Sequence, residues 1–327
     1  MNHDQVEEIL TKNLPGVQQN VLLRQFTTMR VGGASDFLIE VSNIDDLVKA
    51  LKTCFENDIP YIVLGGGSNV IASDSGFPGL TIINHANHIS FVLEKSQVMA
   101  ESGAILAQVV TEAAGRELGG LEWWFGLPGT LGGAVHNNSE TWGHSMSEIV
   151  KSVTILFPPT NGEAAKIEQV DVNWMGYGYR TSKLKQWHTD QKPVILSVTL
   201  QLRQQRKDEI LRRMKESKQG RWDLNQPKGI ASAGSYFKNP GGASHAENAD
   251  RKPEDSAGWL LDQVGAKKMR VGDAGVAKEH ANFVTNGGKA SASEIKQLSD
   301  KLKHLVKEKF DINLEEEVEY IGTWAKH

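Results

Sequence analysis

Apolar positions recur with two different spacings in the first part of the chain. From Ser42 onward they recur every three or four residues, which predicts an amphipathic helix. The apolar residues of this helix are Ile44, Leu47, Val48, Leu51, Cys54 and Phe55. Short unbroken apolar runs at Tyr61–Leu64 and 80–83 predict buried strands. Residues 1–85 are therefore predicted to form a small α/β subdomain.

The middle of the chain continues this mixture of strands and helices. The pattern predicts strands at 89–93 and 98–101, a helix at 104–118, and alternating strands at 149–157 and 194–202. Between them the sequence GLPGTLGGAVHNN interrupts all periodicity, and PPTNG supplies a turn after the first long strand. We assign residues 86–205 to a second subdomain.

The character of the sequence changes near residue 206. A charged helix is predicted at 207–222, and a polar, glycine-bearing stretch that includes 239–255 follows it. Ser291 and Glu294 have the spacing of a capping box, which predicts the start of a long helix. Its apolar face consists of Ile295, Leu298, Leu302, Leu305 and Val306. We assign 206–310 to a separate α/β domain, and 311–327, with the sequence INLEEEVEYIG, to a strand that returns to the N-terminal region.

Composition narrows the class of protein. The 327-residue chain is 39% hydrophobic and 23% charged, with a formal net charge of -4. This profile is typical of a soluble globular protein and argues against nucleic acid or an anionic membrane as a partner. The N-terminus lacks a basic region followed by an apolar core, and no apolar run approaches the ~18 residues of a membrane span. We expect a cytoplasmic monomer.

Cys54 is the only cysteine of the chain. It lies on the apolar stripe of the first predicted helix, where a core role is expected. Neither a disulfide framework nor a thiolate metal site is therefore predicted, and the sequence indicates no metal.

The sequence LGGGSN follows the predicted strand Tyr61–Leu64. The residues of this loop are Gly65, Gly66, Gly67, Ser68 and Asn69. A concave row of backbone N–H groups without side-chain obstruction binds diphosphate well. The loop is not a Rossmann fingerprint, because Val70 stands where that pattern requires Gly or Ala, and no Lys-Ser/Thr of a Walker motif follows. Taken alone, it fits a tight turn as well as a phosphate site.

A second glycine-rich segment favours the phosphate site. Its residues are Gly126, Pro128, Gly129, Thr130, Gly132 and Gly133. Glycine at this density does not suit a core helix or strand, so the backbone must approach a ligand or another segment closely. Two such segments in one chain suggest a single large cofactor between two subdomains. A flavin dinucleotide has the required length and diphosphate.

Motifs along nearly the whole chain resemble one family. LGGGSN is followed in order by GLEWWFGLPGTLGGAV, GYGYRTSKLK, AGSYFKNP and LEEEVEYIG. This series resembles the UDP-N-acetylenolpyruvoylglucosamine reductases (the MurB family). The glycine motifs alone indicate only the wider FAD-binding fold of the vanillyl-alcohol-oxidase (PCMH) type, whereas the last two motifs are much more specific. The resemblance implies an α+β fold with two FAD-binding subdomains and a C-terminal α/β substrate-binding domain.

The sequence departs from the family pattern in two places. HNNSETWG at 136–143 replaces an Asn-Ala-Gly-aromatic-Gly stretch, and Asn137 or Asn138 is expected to donate near the flavin instead. Glu319 stands where an arginine commonly follows the Glu-Val of the last strand. The interval from Arg180 to Ser235 is short, so the chain resembles the compact second subclass, which lacks an extra tyrosine-bearing loop.

The resemblance implies a reaction in two steps. Non-covalently bound FAD takes a hydride from NADPH and passes it to C3 of the enolpyruvyl ether of UDP-N-acetylglucosamine, which gives UDP-N-acetylmuramate for peptidoglycan. Negative charge develops at C2 and in the carboxylate, so a cation and an acid are needed. By match to the family motifs, Arg180 holds the carboxylate, Ser235 protonates C2, and Glu317 assists polarisation or proton relay. Lys238, Asn239 and His280 are expected to bind the substrate.

Strand alternation raises one question about Glu317. The residues Ile312, Leu314, Val318 and Tyr320 point one way in an extended strand. This alternation puts Glu316, and not Glu317, on the apolar face. A run of three glutamates is usually solvated, and only the resemblance singles out Glu317. The two views agree if the polar side of the strand faces the active site.

Three other functions stay open at this point. An FAD oxidase of the same fold that uses O₂ would, in its bicovalent form, place His and Cys next to the flavin, and Cys54 has no suitable neighbour. A flavin- or sugar-nucleotide-binding homologue without catalysis fits the altered HNNSETWG stretch but not the intact Arg180, Ser235 and Glu317. Nucleic-acid binding is favoured only by the basic stretch 203–221, which acidic residues interrupt.

Overall fold

The structure is a computed structural model that describes residues 1–160, 162–187, 189, 191–223, 226–227, 229–242 and 252–324. The polar stretch predicted at 239–255 lies outside the described residues from 243 to 251, as do residues 325–327 of the terminal segment. Among the described helices, none combines the length and the hydrophobicity needed to cross a membrane.

Helices and strands alternate irregularly along the described residues. The α-helices are α1 (His3–Asn13), α2 (Ile44–Glu56), α3 (Leu106–Gly115), α4 (Leu131–His136), α5 (Lys207–Asp223), α6 (Ala257–Gln263) and α7 (Ala292–Phe310). The strands are β1 (Gln18–Leu22), β2 (Ala34–Val41), β3 (Tyr61–Leu64), β4 (Val70–Ala72), β5 (Phe77–Asn84), β6 (Ile89–Val92), β7 (Gln97–Glu101), β8 (Leu118–Gly119), β9 (Glu140–Thr141), β10 (His144–Ser145), β11 (Val150–Phe157), β12 (Lys166–Asp171), β13 (Val194–Gln201), β14 (Arg203–Gln204), β15 (Ala231–Ser232), β16 (Arg270–Val271), β17 (Ala274–Val276), β18 (Val284–Asn286) and β19 (Glu319–Ile321).

The chain forms two compact units, and each is assembled from three segments. Unit 1 consists of Met1–Val21, Ser35–Gly66 and Pro78–Lys218. Unit 2 consists of Leu22–Ala34, Gly67–Phe77 and Gln219–His327. The domains assigned from the sequence are continuous pieces, so they do not anticipate this interleaving. The division of the FAD-binding region into two subdomains stays a prediction.

Unit 1 contains two main sheets. The four-stranded sheet has the order β1-β2-β5-β3, with β3 and β5 parallel. Helix α2 packs its apolar stripe into the same core as this sheet, and Cys54 is fully buried there. Burial raises the pKa of the Cys54 thiol to about 12, so the thiol stays protonated and unreactive. The interpretation of Cys54 as a core residue is confirmed.

The second sheet of unit 1 separates two hydrophobic cores. It is antiparallel, with the order β12-β11-β13-β7-β6. Side chains alternate between its faces: Val153 and Ile155 of β11 join the core that includes α3. Leu156 of the same strand joins the core of α2 and the four-stranded sheet. The alternation of β11 therefore ties the two sheets of unit 1 together.

Unit 2 is built on a short antiparallel sheet and a long helix. The strand order is β15-β18-β17-β16, and α7 shares its core with this sheet. Ser291 Oγ accepts a hydrogen bond from the N–H of Glu294 at 3.1 Å, and the Glu294 carboxylate accepts one from the N–H of Ser291 at 3.0 Å. The predicted capping box is therefore confirmed.

A second sheet in unit 2 joins strands from opposite ends of the sequence. Strand β4 pairs in parallel with β19, and Val70 is opposite Glu319. The predicted terminal strand from 312 to 322 is wrong in length, because only 319–321 pairs as a strand. Before it there is one isolated bridge, between Phe237 and Glu316.

Candidate active site

The glycine loop after β3 contacts the second glycine-rich segment within unit 1. A Cβ on Gly65 would overlap the side chain of Thr130, and a Cβ on Gly66 would meet the Cα of Gly129 at 2.8 Å. The packing therefore requires the absence of side chains at both positions. Two segments that the sequence suggested as parts of one site are adjacent in the structure.

The second glycine segment uses glycine in two ways. Gly126 and Gly129 have φ angles of +87° and +113°, a region that favours glycine. Gly132 has ordinary dihedrals but packs on another segment, since a Cβ there would lie 2.7 Å from Ser102 Cβ. Thr130 Oγ1 caps helix α4 by accepting a hydrogen bond from Gly133 at 3.4 Å. The close approach expected from the sequence is thus, for Gly132, an approach to the protein itself.

The glycine loop continues into unit 2 at Gly67. This residue has a φ of +57°, and a Cβ on it would overlap the carbonyl oxygen of Phe26. Two residues later, the side-chain amide of Asn69 donates to the carbonyl oxygen of Glu317 at 3.1 Å. The N–H of Glu319 donates to the carbonyl oxygen of Asn69 at 2.9 Å. Asn69 therefore joins the loop to the glutamate run.

The loop can supply free donors to a diphosphate. Among the hydrogen bonds of turns and loops in the described residues, none uses the N–H of Gly65, Gly66 or Gly67. Gly66 is exposed, and the space beside Gly126 is open, with no described atom within 4 Å of a Cβ placed there. Successive unobstructed N–H groups suit a diphosphate, so these residues fit FAD.

Arg180 occupies a tight turn in unit 1. Its φ of +53° is unusual for a residue with a side chain. Gly178 and Thr181 close the turn with two backbone hydrogen bonds of 3.2 Å, one in each direction. The half-buried guanidinium lies 6.0 Å from the ring centre of Tyr179. Residues held in such conformations concentrate at functional sites.

The altered HNNSETWG stretch anchors this arginine turn. The side-chain amide of Asn138 donates to the carbonyl oxygen of Gly178 at 2.9 Å, and Asn138 is only 5% exposed. The hydroxyl of Ser182 donates to the carbonyl oxygen of His136 at 2.6 Å. The departure from the family pattern therefore has a structural role beside Arg180.

Asn137 is bonded to the protein as well, and the expectation that Asn137 or Asn138 donates near the flavin stays a prediction. Asn137 Nδ2 donates to the carbonyl oxygen of Gly133 at 3.1 Å, and its Oδ1 accepts a hydrogen bond from Lys185 Nζ at 2.7 Å. Both asparagine amides thus bond to the protein and hold its backbone.

The segments of Ser235 and Glu317 pair with each other in unit 2. The N–H of Glu317 donates to the carbonyl oxygen of Tyr236 at 2.8 Å, and the bridge between Phe237 and Glu316 is antiparallel. Ser235 and Glu317 are both half-buried. Two of the three expected catalytic residues therefore lie on paired segments of one unit, and the third lies in unit 1.

Asn282 fixes the Ser235 segment, and the sequence-based prediction missed it. Its carbonyl oxygen accepts a hydrogen bond from the N–H of Tyr236 at 2.8 Å. Its side chain accepts one from the N–H of Phe237 and donates one to the carbonyl oxygen of Phe237, both at 2.9 Å. Asn282 is 4% exposed. The available signal was its position in KEHANF, two residues after His280.

The alternation in the glutamate run places Glu316 correctly. Its carboxylate accepts hydrogen bonds from Lys303 Nζ and from Ser299 Oγ, each at 3.1 Å, and its side chain is 17% exposed. Both partners belong to α7, so the Glu316 carboxylate is held against that helix. By the same alternation Glu317 points away from α7.

The buried Tyr236, which follows Ser235 in the chain, contacts the half-buried Tyr320. The hydroxyls of Tyr236 and Tyr320 are 2.8 Å apart. Burial raises the pKa of both phenols, to about 12 for Tyr320. Both therefore stay protonated at neutral pH, and a poorly acidic phenol is an unfavourable proton donor there.

Lys238 and Asn239 already have partners in the protein. Lys238 Nζ lies 3.2 Å from the carboxylate of Glu315, which is mostly exposed. Asn239 Oδ1 accepts a hydrogen bond from the N–H of Ala257 at 3.1 Å, at the first residue of α6. The lysine can exchange its exposed partner for a ligand anion, whereas the asparagine oxygen is used by the fold.

His280 lines a cavity of ≈ 230 Å³ in unit 2, together with Trp259 and Lys267. Burial lowers the pKa of His280, and the charge of Lys267 lowers it further. Its Nδ1 accepts a hydrogen bond from the N–H of Asn282 at 3.2 Å. The imidazole is therefore neutral at neutral pH, with its proton on Nε2.

One group of possible metal ligands stands out among the described residues. Ligand atoms of His3, Asp4 and Glu7 lie within 4.8 Å of one another at the start of α1. Exposed acidic side chains are favoured at a helix start by the helix dipole. This group adds no metal chemistry to the candidate site.

Two family models match the chain. Residues 35–167 match the FAD binding domain, and residues 226–321 match the UDP-N-acetylenolpyruvoylglucosamine reductase, C-terminal domain. The first range contains both glycine segments. The second contains Ser235 and Glu317.

Known relatives are similar over nearly the whole chain. The UDP-N-acetylenolpyruvoylglucosamine reductase of Anoxybacillus flavithermus is 32% identical over 316 residues, which are 97% of this chain and 98% of the relative. The enzyme of that name from Bacillus subtilis is 33% identical over 318 residues, with the same two coverages. The one from Nostoc punctiforme is 36% identical over 312 residues, covering 94% of this chain and 87% of the relative.

A solved structure is similar as well. The UDP-N-acetylenolpyruvylglucosamine reductase (MurB) from Thermus caldophilus has 34% identity and a TM-score of 0.73, and the match covers 93% of this chain and 98% of that one. The predicted fold class, an α+β FAD-binding fold of the vanillyl-alcohol-oxidase (PCMH) type with a C-terminal substrate-binding domain, is confirmed. With more than 30% identity over more than nine tenths of its length, the chain belongs to the UDP-N-acetylenolpyruvoylglucosamine reductase family.

Proposed function

We propose that this chain reduces UDP-N-acetyl-3-O-(1-carboxyvinyl)-glucosamine to UDP-N-acetylmuramate, with NADPH as reductant and non-covalently bound FAD. Family membership makes it an oxidoreductase with FAD as its cofactor. The observation that carries the proposal is the backbone pairing of the Ser235 segment with that of Glu317, since these two segments contain the residues that match the family's proton donor and glutamate.

The two glycine segments would hold FAD. The N–H groups of Gly65–Gly67 and the adjoining Ser68 and Asn69 would bind its diphosphate, and residues 126–133 would line its binding site. When bound, FAD supplies the transfer of a hydride from NADPH to C3 of the enolpyruvyl group. The protein's own residues then deal with the charge that appears at C2.

Three residues would stabilise the enolate and protonate C2: Arg180, Ser235 and Glu317. The Arg180 guanidinium stays charged at any working pH and can hold the substrate carboxylate through two hydrogen bonds, which stabilises the enolate. The Ser235 hydroxyl would donate its proton to C2, because an enolate carbon is basic enough to accept it. Glu317 would assist polarisation or return a proton to Ser235.

Lys238 and His280 would bind the sugar nucleotide. Lys238 can exchange Glu315 for a diphosphate oxygen, since that carboxylate is 75% exposed and an exposed ion pair is weak. A neutral His280 can donate from Nε2 to a substrate oxygen without adding charge. For Asn239 we propose a mainly positioning role, at the start of α6.

The half-reactions separate the reductase from a binding protein. Anaerobic NADPH should bleach the yellow FAD-loaded protein, and the enolpyruvyl sugar nucleotide should restore its absorbance. Ser235→Ala should leave bleaching within about twofold and slow the recovery by at least about 100-fold, in line with general acid catalysis. Stopped-flow absorbance measures both steps.

Ser232→Ala is the matched control, because Ser232 lies in the same half-buried segment and is not a site residue. It should change neither step. Equal slowing of both steps by Ser235→Ala would show that Ser235 is not the proton donor. Failure of the unmodified protein to recover its absorbance would leave only a binding function.

Arg180→Lys should also lose most of the second step. A lysine ammonium cannot form the bidentate hydrogen bonds that a guanidinium makes with a carboxylate. We therefore expect the rate of the second step to fall at least about tenfold at saturating substrate. Arg203→Lys, at an exposed arginine of unit 1, is the control. An Arg180→Lys variant as fast as this control would exclude bidentate binding.

The cellular setting is also a proposal. We propose a cytoplasmic enzyme that supplies a peptidoglycan precursor and thereby supports cell wall formation, cell shape and division. We also propose that it acts as a monomer. Light scattering on the FAD-loaded protein should then give a mass near 36.0 kDa, and a mass near twice that value would contradict the monomer.

A further inference from the structure

An open cavity of ≈ 510 Å³ lies within unit 2, and none of the candidate catalytic or substrate-binding residues lines it. Its charged lining residues are Arg24, Arg30, Asp74 and Lys289, and glycines 32, 33 and 288 form part of its wall. The volume is in the range of small-molecule sites. Three cations against one carboxylate favour an anionic ligand.

The one carboxylate of the cavity already accepts hydrogen bonds from the protein. Asp74 accepts hydrogen bonds from the N–H groups of Ala292 and Ser293, both at 2.8 Å, and from the hydroxyl of Ser293 at 2.6 Å. These donors belong to the first turn of α7, where the helix dipole favours negative charge. Asp74 offsets one of the three positive charges, so the charged side chains that line the cavity still carry a net charge of +2 (three minus one).

The cations themselves are not engaged by carboxylates. The side chains of Arg24, Arg30 and Lys289 are exposed, and within the described ranges none lies within 4.0 Å of a carboxylate oxygen. Elsewhere in the same unit Lys267 is paired, 3.0 Å from Asp262. Three like charges that share one cavity repel one another, and a bound anion would relieve this repulsion.

The buried side chain of Asn286 bonds both to the segment of Arg30 and to the turn of Lys289. Arg30 has a φ of +57°, which is disfavoured for any residue with a Cβ. Asn286, 5% exposed, donates to the carbonyl oxygens of Met29 and Arg30 at 3.1 and 3.3 Å. Its Oδ1 accepts hydrogen bonds from Gly288 at 2.7 Å and Ala290 at 3.0 Å. The segment of Arg30 and the turn of Lys289 are thus fixed to the same amide.

The turn that carries Lys289 has a second support. Asp273 Oδ2 accepts a hydrogen bond from the N–H of Lys289 at 2.7 Å, and its carbonyl oxygen accepts one from Gly287 at 3.0 Å. The backbone of Arg30 is strained, and strain of this kind persists mainly at functional positions. The Lys289 turn is held by hydrogen bonds to two side chains, so both cations have fixed backbone positions.

We propose that this cavity binds the phosphoryl groups of a phosphorylated small molecule of about nucleotide size. Guanidinium groups match phosphate oxygens through paired hydrogen bonds, and the ammonium group adds a compact charge. Gly288 leaves open space where a side chain would lie, so the backbone there can approach the ligand, whereas Gly32 and Gly33 pack on Ala72 and Asp74. The site shares no residue with the proposed FAD or sugar-nucleotide contacts, so it is a second anion site.

Calorimetric titration of the FAD-loaded protein with inorganic pyrophosphate tests this site. Arg30→Gln combined with Lys289→Gln should weaken one binding event at least tenfold and leave any binding at the flavin site unchanged. Reduction by NADPH should also be unchanged, which shows that the variant is folded. A parallel titration with ADP should give binding at least as tight, because the cavity has room beyond the phosphoryl groups.

Arg203→Gln combined with Lys301→Gln is the control, because it removes the same charge from exposed positions outside the cavity. It should bind pyrophosphate like the unmodified protein. Equal affinity in all three proteins, or equal weakening in both variants, would overturn the proposal. If the first variant does not fold, Arg24→Gln with Lys289→Gln removes two of the three cavity charges without touching the strained residue, and it should weaken pyrophosphate binding in the same way.

Discussion

The glycine loop at 65–67 and the segment around Ser235 are held in place by opposite means. The loop depends on missing side chains, because each added Cβ would strike a neighbouring segment. The Ser235 segment depends on a particular side chain, since the Asn282 amide bonds both backbone polar groups of Phe237. The conformation of the loop is fixed by close packing, and that of the Ser235 segment is fixed by hydrogen bonds. The two regions should therefore fail differently when they are changed.

The largest loss of stability is expected for Gly67→Ala. The new methyl group would overlap the carbonyl oxygen of Phe26, and a φ of +57° is disfavoured for alanine. A backbone obstacle cannot rotate away as a side chain could. The free energy of unfolding should fall by about 3 kcal/mol or more, as measured by urea unfolding followed by tryptophan fluorescence.

Gly115→Ala is the control for this substitution. Gly115 is the last residue of α3, and no described atom lies within 4 Å of a Cβ placed there. Alanine should change the free energy of unfolding by less than about 1 kcal/mol, in the stabilising direction. A Gly67→Ala variant as stable as this control would show that exclusion of side chains does not hold the loop.

Asn282→Ala should be the next most damaging change. It leaves the buried N–H and C=O of Phe237 without partners, which should cost about 2–3 kcal/mol of unfolding free energy. It should also slow the second half-reaction more than the first, because the Ser235 segment loses its support. Asn313→Ala, at an exposed asparagine, is the control for both measurements. Equal slowing of the two half-reactions would contradict a local role.

Glu316→Gln should have the smallest effect of the three. Its partner Lys303 is 35% exposed, so loss of the charge should cost about 1 kcal/mol or less. Glu308→Gln, whose exposed side chain lies 3.2 Å from His304, is the control and should cost less still. Stopped-flow kinetics should show a normal second half-reaction in Glu316→Gln and a slow one in Glu317→Gln. The reverse pattern would exchange the roles of the two glutamates.

The long elements of the fold can be predicted because burial imposes a period on many residues. Helix α7 and strand β11 repeat their apolar positions, and their predicted starts agree with the structure to within a few residues. The sheet of unit 2 could not be predicted in this way. Its strands β15–β18 have two or three residues each, which is too short for an alternation of apolar and polar positions. The terminal strand is overpredicted because alternation continues through the glutamate run, where only a short segment has a partner strand.

Some residues of the candidate site can also be predicted from the sequence pattern, and others cannot. Alternation alone places Glu316 correctly. Asn138 and Asn282 act through individual hydrogen bonds, which leave no spacing in the sequence. Arg180 and Ser235 can be recognised only through the family motifs, since a lone arginine or serine is usually unremarkable. The interleaving of the two units depends on contacts such as that of Asn69 with a residue 248 positions away, which no local pattern contains.

The parallel pair of β4 and β19 also imposes a delay during translation. A ribosome adding about 5–20 residues per second needs roughly 10–50 s to make the chain between these strands. Throughout that time Ile71 of β4, fully buried in the finished protein, has no β19 to cover it. The nascent polypeptide should therefore need chaperone protection at this early strand until the last strand emerges.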